Sequence, residues 1–559
     1  MFQGKDGMTK THVSAELLAA LGELLAAVQA ISLDYATDDA EQARATRDEV
    51  ADQLSDYVLP RLVQLDAPLL TVVGGSTGAG KSTLVNSIVG APVTEAGVLR
   101  PTTRSPVLVH HPDDVEWFSR DRILPDLPRL GDPDAPDGYG LRLVTTTSIP
   151  SGLALLDAPD VDSVDQINRE LATQLLAAAD LWLFVTSAAR YADQVPWSYL
   201  KRAAERSTSL AVVLDRTAPE AVEEVRGHLA RMMTARGLAD SPLFTVPEGA
   251  LTYTGLLKPE AVAPISGWLR DLAANPADRR HVIGRTLDGA VRHLVFRAHD
   301  VADAVESQLE IARSLADPTA SIFDAAEENL QRRLVDGSLV GGEVESRWTT
   351  LVSDGLERIV DVEGGGRTSA LPGSFVLVES VASAIKSLVV SQIDRAVHDA
   401  TERWASSAHG RSILHRSPGA DRISADIRAA TDEFGDAWAV DLVERIAAAD
   451  DAGVDPNALV ACAAMATLVA GSSTTASNHL SRRVLDQAVG VDAARSLVDH
   501  SVSTLRGGAH DLLEAERRRL MRLAPGVDTI LAQQDALRDA ARAAEYARHT
   551  DFINGEIAP

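Results

Sequence analysis

Eight consecutive residues constrain this chain more than any others: Gly75-Ser76-Thr77-Gly78-Ala79-Gly80-Lys81-Ser82 fits GxxxxGK[ST] at every fixed position. The apolar run Leu69 to Val73 (LLTVV) precedes it, and Lys81 to Val89 follows with a helical pattern, so the sequence reads strand, loop, helix. The motif's mechanism needs that context. Glycines let the backbone curl until successive N–H groups point inward at phosphate oxygens, and the helix behind the loop adds its positive N-terminal end. Lys81 would neutralise the outer phosphates, and the Ser82 hydroxyl would bind Mg2+. Gly75, Ser76, Thr77, Gly78, Ala79, Gly80, Lys81, Ser82 and Thr83 are the expected nucleotide-binding residues. Lys5, Lys10, Lys81, Lys201, Lys258 and Lys386 are the only lysines, so composition alone poorly explains a lysine at this position.

The rest of the chain divides by periodicity. Short apolar runs at Val107 to Val109, Leu153 to Leu156, Leu181 to Val185, Leu210 to Leu214 and Leu243 to Val246 alternate with helical patterns such as Ile167 to Ala179 and Pro219 to Arg236. Continuous apolar strands alternating with helices predict an α/β phosphate-loop domain, its mostly parallel sheet buried on both faces, over residues 68–275. Two amphipathic helices are expected before it, within residues 1–67, where Leu17, Leu18, Leu21, Leu24, Leu25 and Val28 recur at three- and four-residue steps. Beyond Asn275 the strand signal fades and a long all-helical region is expected. Its breaks are expected at Asp317 to Thr319, Gly364 to Gly373, Ser417 to Gly419, Gly453 to Pro456 and Pro525 to Gly526. The stripe Leu512, Leu513 and Leu520 among Glu514, Glu516 and Arg517 to Arg519 predicts a helix with one buried face and a solvated charged one.

Charge and cysteine content narrow the function. Lys+Arg total 53 against Asp+Glu 80, a net charge of -27, which argues against wrapping nucleic acid. The single cysteine, Cys462, cannot close an internal disulfide and reads as a buried small hydrophobe in a reducing compartment. His110 and His111, adjacent on a strand, point to opposite faces and make a poor metal site. No stretch resembles a secretory signal, Ala458 to Ala470 is too short to cross a bilayer, and Phe375 to Val390 carries Glu379 and Lys386. The expectation is a cytoplasmic protein, soluble or peripheral on a membrane.

Further motifs carry a resemblance. After Ser82 the chain reads Thr83-Leu84-Val85-Asn86-Ser87-Ile88-Val89-Gly90, which resembles the helix of Era-like and dynamin-like GTPases, and Arg100-Pro101-Thr102-Thr103 is similar to the switch I segment of bacterial dynamin-like proteins. The run Leu153 to Leu156 leads into Asp157-Ala158-Pro159-Asp160, similar to the Asp-x-x-Gly element but with Asp160 where that pattern has glycine. Leu210 to Leu214 leads into Asp215-Arg216-Thr217-Ala218, where the base-reading pattern would end in a carboxylate rather than alanine.

The resemblance implies a bacterial dynamin-like GTPase that binds GTP and GDP with Mg2+. In that reading Lys81, Ser76, Thr102 and Thr103 serve the reaction, and Ser82, Thr102, Thr103 and Asp157 provide the metal ligands. Asp215 and Arg216 meet the base, with Val246-Pro247-Glu248 as a weak further element of its pocket. It implies helices 1–67, 276–510 and 511–559 arranged as neck and trunk, the trunk tip at Gly364 to Val378 with Leu371, Phe375, Val376 and Leu377 as inserting residues. It also implies a nucleotide-dependent homodimer or a second dynamin-like partner, no nucleic acid, and peripheral contact with the inner face of the cell membrane for remodelling or division. Asp160 and Ala218 keep two alternatives open: a nucleotide-gated scaffold with little hydrolysis, and a phosphate-loop ATPase.

Overall fold

The computed structural model describes residues 14–95, 105–118, 124, 127–130, 140–163, 166–205, 209–249, 251–356, 371, 373–449, 454–472 and 476–553. Strands β1 (Leu69–Gly75), β2 (Val107–His110), β3 (Arg142–Thr145), β4 (Leu153–Asp157), β5 (Leu181–Ser187), β6 (Ser209–Thr217) and β7 (Leu243–Pro247) form one sheet in the order β3-β2-β4-β1-β5-β6-β7. Every neighbouring pair is parallel except β2 with β4. The expected mostly parallel α/β domain is therefore the fold, followed by long helices. All residues of β1, β4 and β5 are buried, which is why their sequences are continuous apolar runs. β3 escapes that signature: Arg142–Thr145 is a short, half-buried strand beside β2.

The chain forms two compact units, one of Met1–Leu33, Thr37–Glu306 and Ala532–Pro559, the other of Asp34–Ala36 and Ser307–Leu531. In the first, the helix Ala15–Ala30 buries Leu17, Leu21, Leu24 and Val28, and Ser14 caps it by accepting from the Leu17 N–H. The Ser14 N–H in turn donates to Asp551 at 2.9 Å, and the Gln534 amide donates to the Ala302 carbonyl at 2.9 Å. These contacts join the first helix, the last helix Val527–Arg548 and the start of the long helix Pro276–Arg333.

Asp180, 1% exposed at the entry to β5, ties Tyr57, Arg61 and the long helix to the sheet. Its carboxylate accepts from Arg61 Nε at 2.8 Å and Nη2 at 2.7 Å, and from the Leu70 N–H at 2.8 Å. The Tyr57 hydroxyl reaches it at 3.3 Å, and the Asp180 carbonyl accepts from Thr286 Oγ1 at 2.9 Å. Burial beside this carboxylate pushes the Tyr57 phenol well above its ordinary value.

The second unit corrects one expected break. The helix Pro276–Arg333 runs straight through Pro318. The proline removes only the N–H that would serve the Ser314 carbonyl; one residue on, the Leu315 carbonyl accepts from Thr319 Oγ1 at 2.7 Å and from the buried Trp404 indole at 3.1 Å. The breaks near 417–419 and 525–526 fall between helices.

Among the described residues one helix, Gly373–Ala405, is long and apolar enough to span a bilayer by length and composition. It buries Leu377, Val381, Ile385, Val389 and Ile393 within this unit. Of the proposed tip, 364–370 lies outside the described residues. Phe375 is exposed at 61%, whereas Leu377 is fully buried and belongs to the core instead of a lipid-facing surface. The helix Pro456–Leu468 is buried along its length, and burial pushes the Cys462 thiol up. In the stripe around Leu512, Glu516 is the surprise: it is fully buried, accepting from the Ser424 N–H at 2.9 Å and from Arg519 Nε at 2.9 Å.

Arg61→Ala leaves Asp180 charged and buried without its cation, so it should cost about 3 to 5 kcal/mol in denaturant unfolding. Asp180→Asn on top of Arg61→Ala should recover part of that loss; a double variant weaker than Arg61→Ala would refute the pairing as the source.

Candidate functional site

The phosphate loop leaves the C-terminal end of β1, between β4 and β5, where ligands of open α/β sheets bind. Gly75 has φ +143°, and a Cβ there would stand 2.0 Å from the Val185 carbonyl oxygen of β5, so only glycine allows this approach. The loop then closes on the helix Lys81–Val89, with Gly80 left-handed at its N-cap and the Ala79 N–H returning to the Ser76 carbonyl at 3.1 Å.

Lys81 is 6% exposed. Its ammonium donates to the Gly75 carbonyl at 3.0 Å and the Ser76 carbonyl at 3.1 Å, and it pairs with the Asp160 carboxylate. The Ser82 hydroxyl donates to Asp157 Oδ2 at 2.7 Å. Asp157, at the end of β4, is fully buried; burial raises its carboxyl, opposed by hydrogen bonds from Thr94 and Ser82 and by the Lys81 charge. Among the described residues its second oxygen, Oδ1, has no partner, and neither do Ser76 Oγ and Thr186 Oγ1. These three buried oxygens lie on β1's loop, β4 and β5, at the same end of the sheet.

The donor chemistry suits Mg2+, a hard ion that uses one or two carboxylates, substrate phosphates and waters and no dedicated protein cage. Among the described residues no group of three His, Cys, Asp or Glu is poised to hold a metal alone. A buried carboxylate with a free oxygen, beside a serine hydroxyl, fits the ion. His110 is buried, with Nδ1 against the His111 carbonyl at 2.8 Å, as expected of a structural histidine.

Three residues absent from the sequence expectations join the site. Thr94 Oγ1 donates to Asp157 Oδ2 at 2.6 Å, and Asn86 from the loop's helix fixes the Thr94 backbone, accepting from its N–H at 2.9 Å and donating to its carbonyl at 2.9 Å. Asp162 accepts from the Thr77 N–H at 2.6 Å and the Thr77 hydroxyl at 2.7 Å, while Arg190 Nη1 donates to its other oxygen at 2.5 Å. An acid two residues beyond Asp160 in Asp157-Ala-Pro-Asp160-Val-Asp162 was the available signal for Asp162. Thr94 and Arg190 stand in no motif and carried none. Thr102 and Thr103 lie outside the described residues.

At the other side of the loop, pairing of β6 with β7 shifts register between Leu214 and Thr217. Asp215 and Arg216 occupy this irregularity, and Arg216 takes a positive φ of 49°. The Asp215 carboxylate is thereby aimed at the loop: a Cβ on Gly80 would stand 2.0 Å from its Oδ2 and 3.7 Å from Arg216 Nε. Asp215 Oδ1 accepts from the Arg216 N–H at 2.8 Å. Burial pushes the Asp215 carboxyl up to about 6, with Glu248 adding to it and Arg216 opposing. Ala218 is exposed beyond the strand, and the Glu248 N–H donates to the Thr217 carbonyl at 2.8 Å.

No family model matches this chain, and no curated protein does. Two of the solved structures to which it is similar share one description. Both belong to an oligomerised bacterial dynamin pair described as a mechanism for long-range sensing and tethering of membranes. One covers 92% of this chain and 96% of its own, with TM-score 0.39, and the other 91% and 96%, with TM-score 0.36; each is 10% identical. At so loose a superposition, the chemistry has to be read from the site itself.

A carboxyl raised from 3.8 to about 6 contributes stability that is fully present below pH 4 and lost as pH rises through 6. Asp215→Asn should therefore stabilise the nucleotide-free protein at pH 8 by on the order of 2 kcal/mol and by about half as much at pH 5. Thermal melts at both pH values check it, and a gap independent of pH would contradict the assignment.

Proposed function

We propose that this chain binds a guanine nucleotide with Mg2+ and hydrolyses the triphosphate, as a dynamin-like GTPase whose nucleotide cycle drives pairing. The observation that carries this reading is the convergence, around one glycine-rich loop, of Lys81 and three buried oxygens that have no partner among the described residues, Ser76 Oγ, Asp157 Oδ1 and Thr186 Oγ1. Buried polar atoms without partners are rare, and their clustering supports a polar ligand with its own donors and cation.

In this reading the loop N–H groups and the helix Lys81–Val89 bind the phosphates, and Lys81 neutralises the charge that develops during transfer. Ser82 and Asp157 would hold Mg2+, which would supply Lewis-acid neutralisation of phosphate charge. Thr94 orients Asp157 through its hydroxyl. Ser76, together with Thr102 and Thr103, is assigned to the terminal phosphate and the attacking water. Asp215 reads the guanine and Arg216 packs on it; the register irregularity that aims Asp215 at the loop supports that assignment.

The partner is a second copy of this chain or another dynamin-like protein. The work is done at a membrane, on the inner face of the cell envelope from the cytoplasm, as the motif resemblance implies. The fold's net charge of -27 means that anionic lipid must be met by a local apolar or cationic surface. The helical parts, 1–67, 276–510 and 511–559, are assigned to neck and trunk, and 68–275 to the GTPase domain.

Calorimetric titration of GTP, GDP and ATP against wild type, Lys81→Ala and Asp215→Ala tests the reading. GTP and GDP should bind, ATP about tenfold or more weaker. Lys81→Ala should lose the nucleotide, and Asp215→Ala should bring GTP down to the ATP level. Unchanged GTP affinity in Asp215→Ala would remove Asp215 as the guanine reader, and ATP binding in the absence of GTP binding would remove the GTPase.

A further inference from the structure

The segment behind β4 does something that the nucleotide-binding reading alone does not require. It runs alongside the phosphate loop, fixed by the Ala158 N–H to the Val73 carbonyl at 3.2 Å and the Val161 N–H to the Gly75 carbonyl at 3.3 Å. Gly75 thus offers one carbonyl both to Val161 and to Lys81. On either side of Val161 a carboxylate faces the loop. Asp160 pairs with the Lys81 ammonium, and Asp162 takes both the backbone N–H and the hydroxyl of Thr77.

Each of these partners is a donor that a phosphate-loop site normally offers to nucleotide. Loop N–H groups nearer the helix cradle the inner phosphates, whereas the lysine reaches the outer two. A carboxylate on that lysine stands at the outer end of the site. A second carboxylate, on an early loop residue and paired with Arg190 at 2.5 Å, stands beside it.

We propose that Asp160-Val161-Asp162 is a two-pronged latch that holds the place of a nucleotide's terminal phosphate, so that a diphosphate enters with the latch in place and a triphosphate must evict it. The latch rests on the nucleotide-binding reading above and adds to it a discrimination between nucleotide states. Two carboxylates and a terminal phosphate cannot share Lys81 and Thr77 without like-charge repulsion. Eviction exchanges one anion for another on the same buried cation, so Lys81 is never left without a counter-charge. It also releases Arg190 from Asp162, which lets a cation on the loop after β5 follow the incoming charge. In this way the terminal phosphate is sensed by the segment that follows β4, and glycine at position 160, which has no side chain, would abolish one prong.

The test is calorimetric titration of GDP and of a non-hydrolysable GTP analogue, both with Mg2+, against wild type, Asp160→Asn and Asp162→Asn. The asparagines keep size and shape, and circular dichroism melts establish that each variant is folded. Wild type should prefer GDP. Asp160→Asn should raise affinity for the triphosphate analogue about tenfold while GDP affinity changes less than about threefold, and Asp162→Asn should move the ratio in the same direction. If all three proteins bind both nucleotides with the same ratio, the latch is overturned and nucleotide binding stands. If none binds either nucleotide, the nucleotide-binding reading fails and the latch falls with it.

Discussion

A buried ammonium has to be neutralised, and the whole site is arranged around meeting that demand for Lys81. An isolated charge taken out of water costs several kcal/mol. Here two loop carbonyls and the Asp160 carboxylate meet the cost within a chain that carries 27 excess negative charges. The geometry that makes this possible begins with β1 lying buried between β4 and β5. Because all three run parallel, their C-terminal ends deliver the loop, Asp157 and the segment leading to Arg190 to one place. Gly75 allows β1 to press on β5 there, and a side chain at that position would push the loop away from every partner it has.

The same economy of charge governs the opposite side of the loop. Asp215 is held against Gly80 by a strand irregularity and a left-handed Arg216, both of which cost backbone energy that the surrounding sheet has to support. Its carboxyl is pushed up to about 6 by burial, so above that pH a charge is held in a buried place at a cost that arriving donors or cations would offset. Around the loop of this acidic protein each of three carboxylates has a specific partner: Asp157 has Ser82 and Thr94, Asp160 has Lys81, and Asp162 has Thr77 and Arg190.

Much of this was legible in the sequence, for physical reasons. Strands buried on both faces must be apolar throughout, which exposed β1, β2, β4, β5 and β6; of the two half-buried edge strands, β7 keeps an apolar run and β3 has none. The phosphate loop announces itself because its glycines and lysine are needed at fixed spacing. The contacts of Asp162, Thr94 and Arg190 depend on how separate strand ends converge, and no local pattern records that. Pro318 looked like a break because a proline removes a helix hydrogen bond, yet only the one rung to the Ser314 carbonyl is lost and the helix continues. Glu516 read as surface charge because its helix is rich in such residues; only the arrival of the Ser424 N–H makes it a buried cap.

The central claim is that Lys81 and its loop form a catalytic nucleotide site. Release of inorganic phosphate from GTP, followed over time in the presence of Mg2+ for wild type and Lys81→Ala, tests it most directly. The account predicts sustained release by wild type that is abolished in Lys81→Ala. Release at the same rate in both proteins, or none from a wild type that binds GTP, would contradict it.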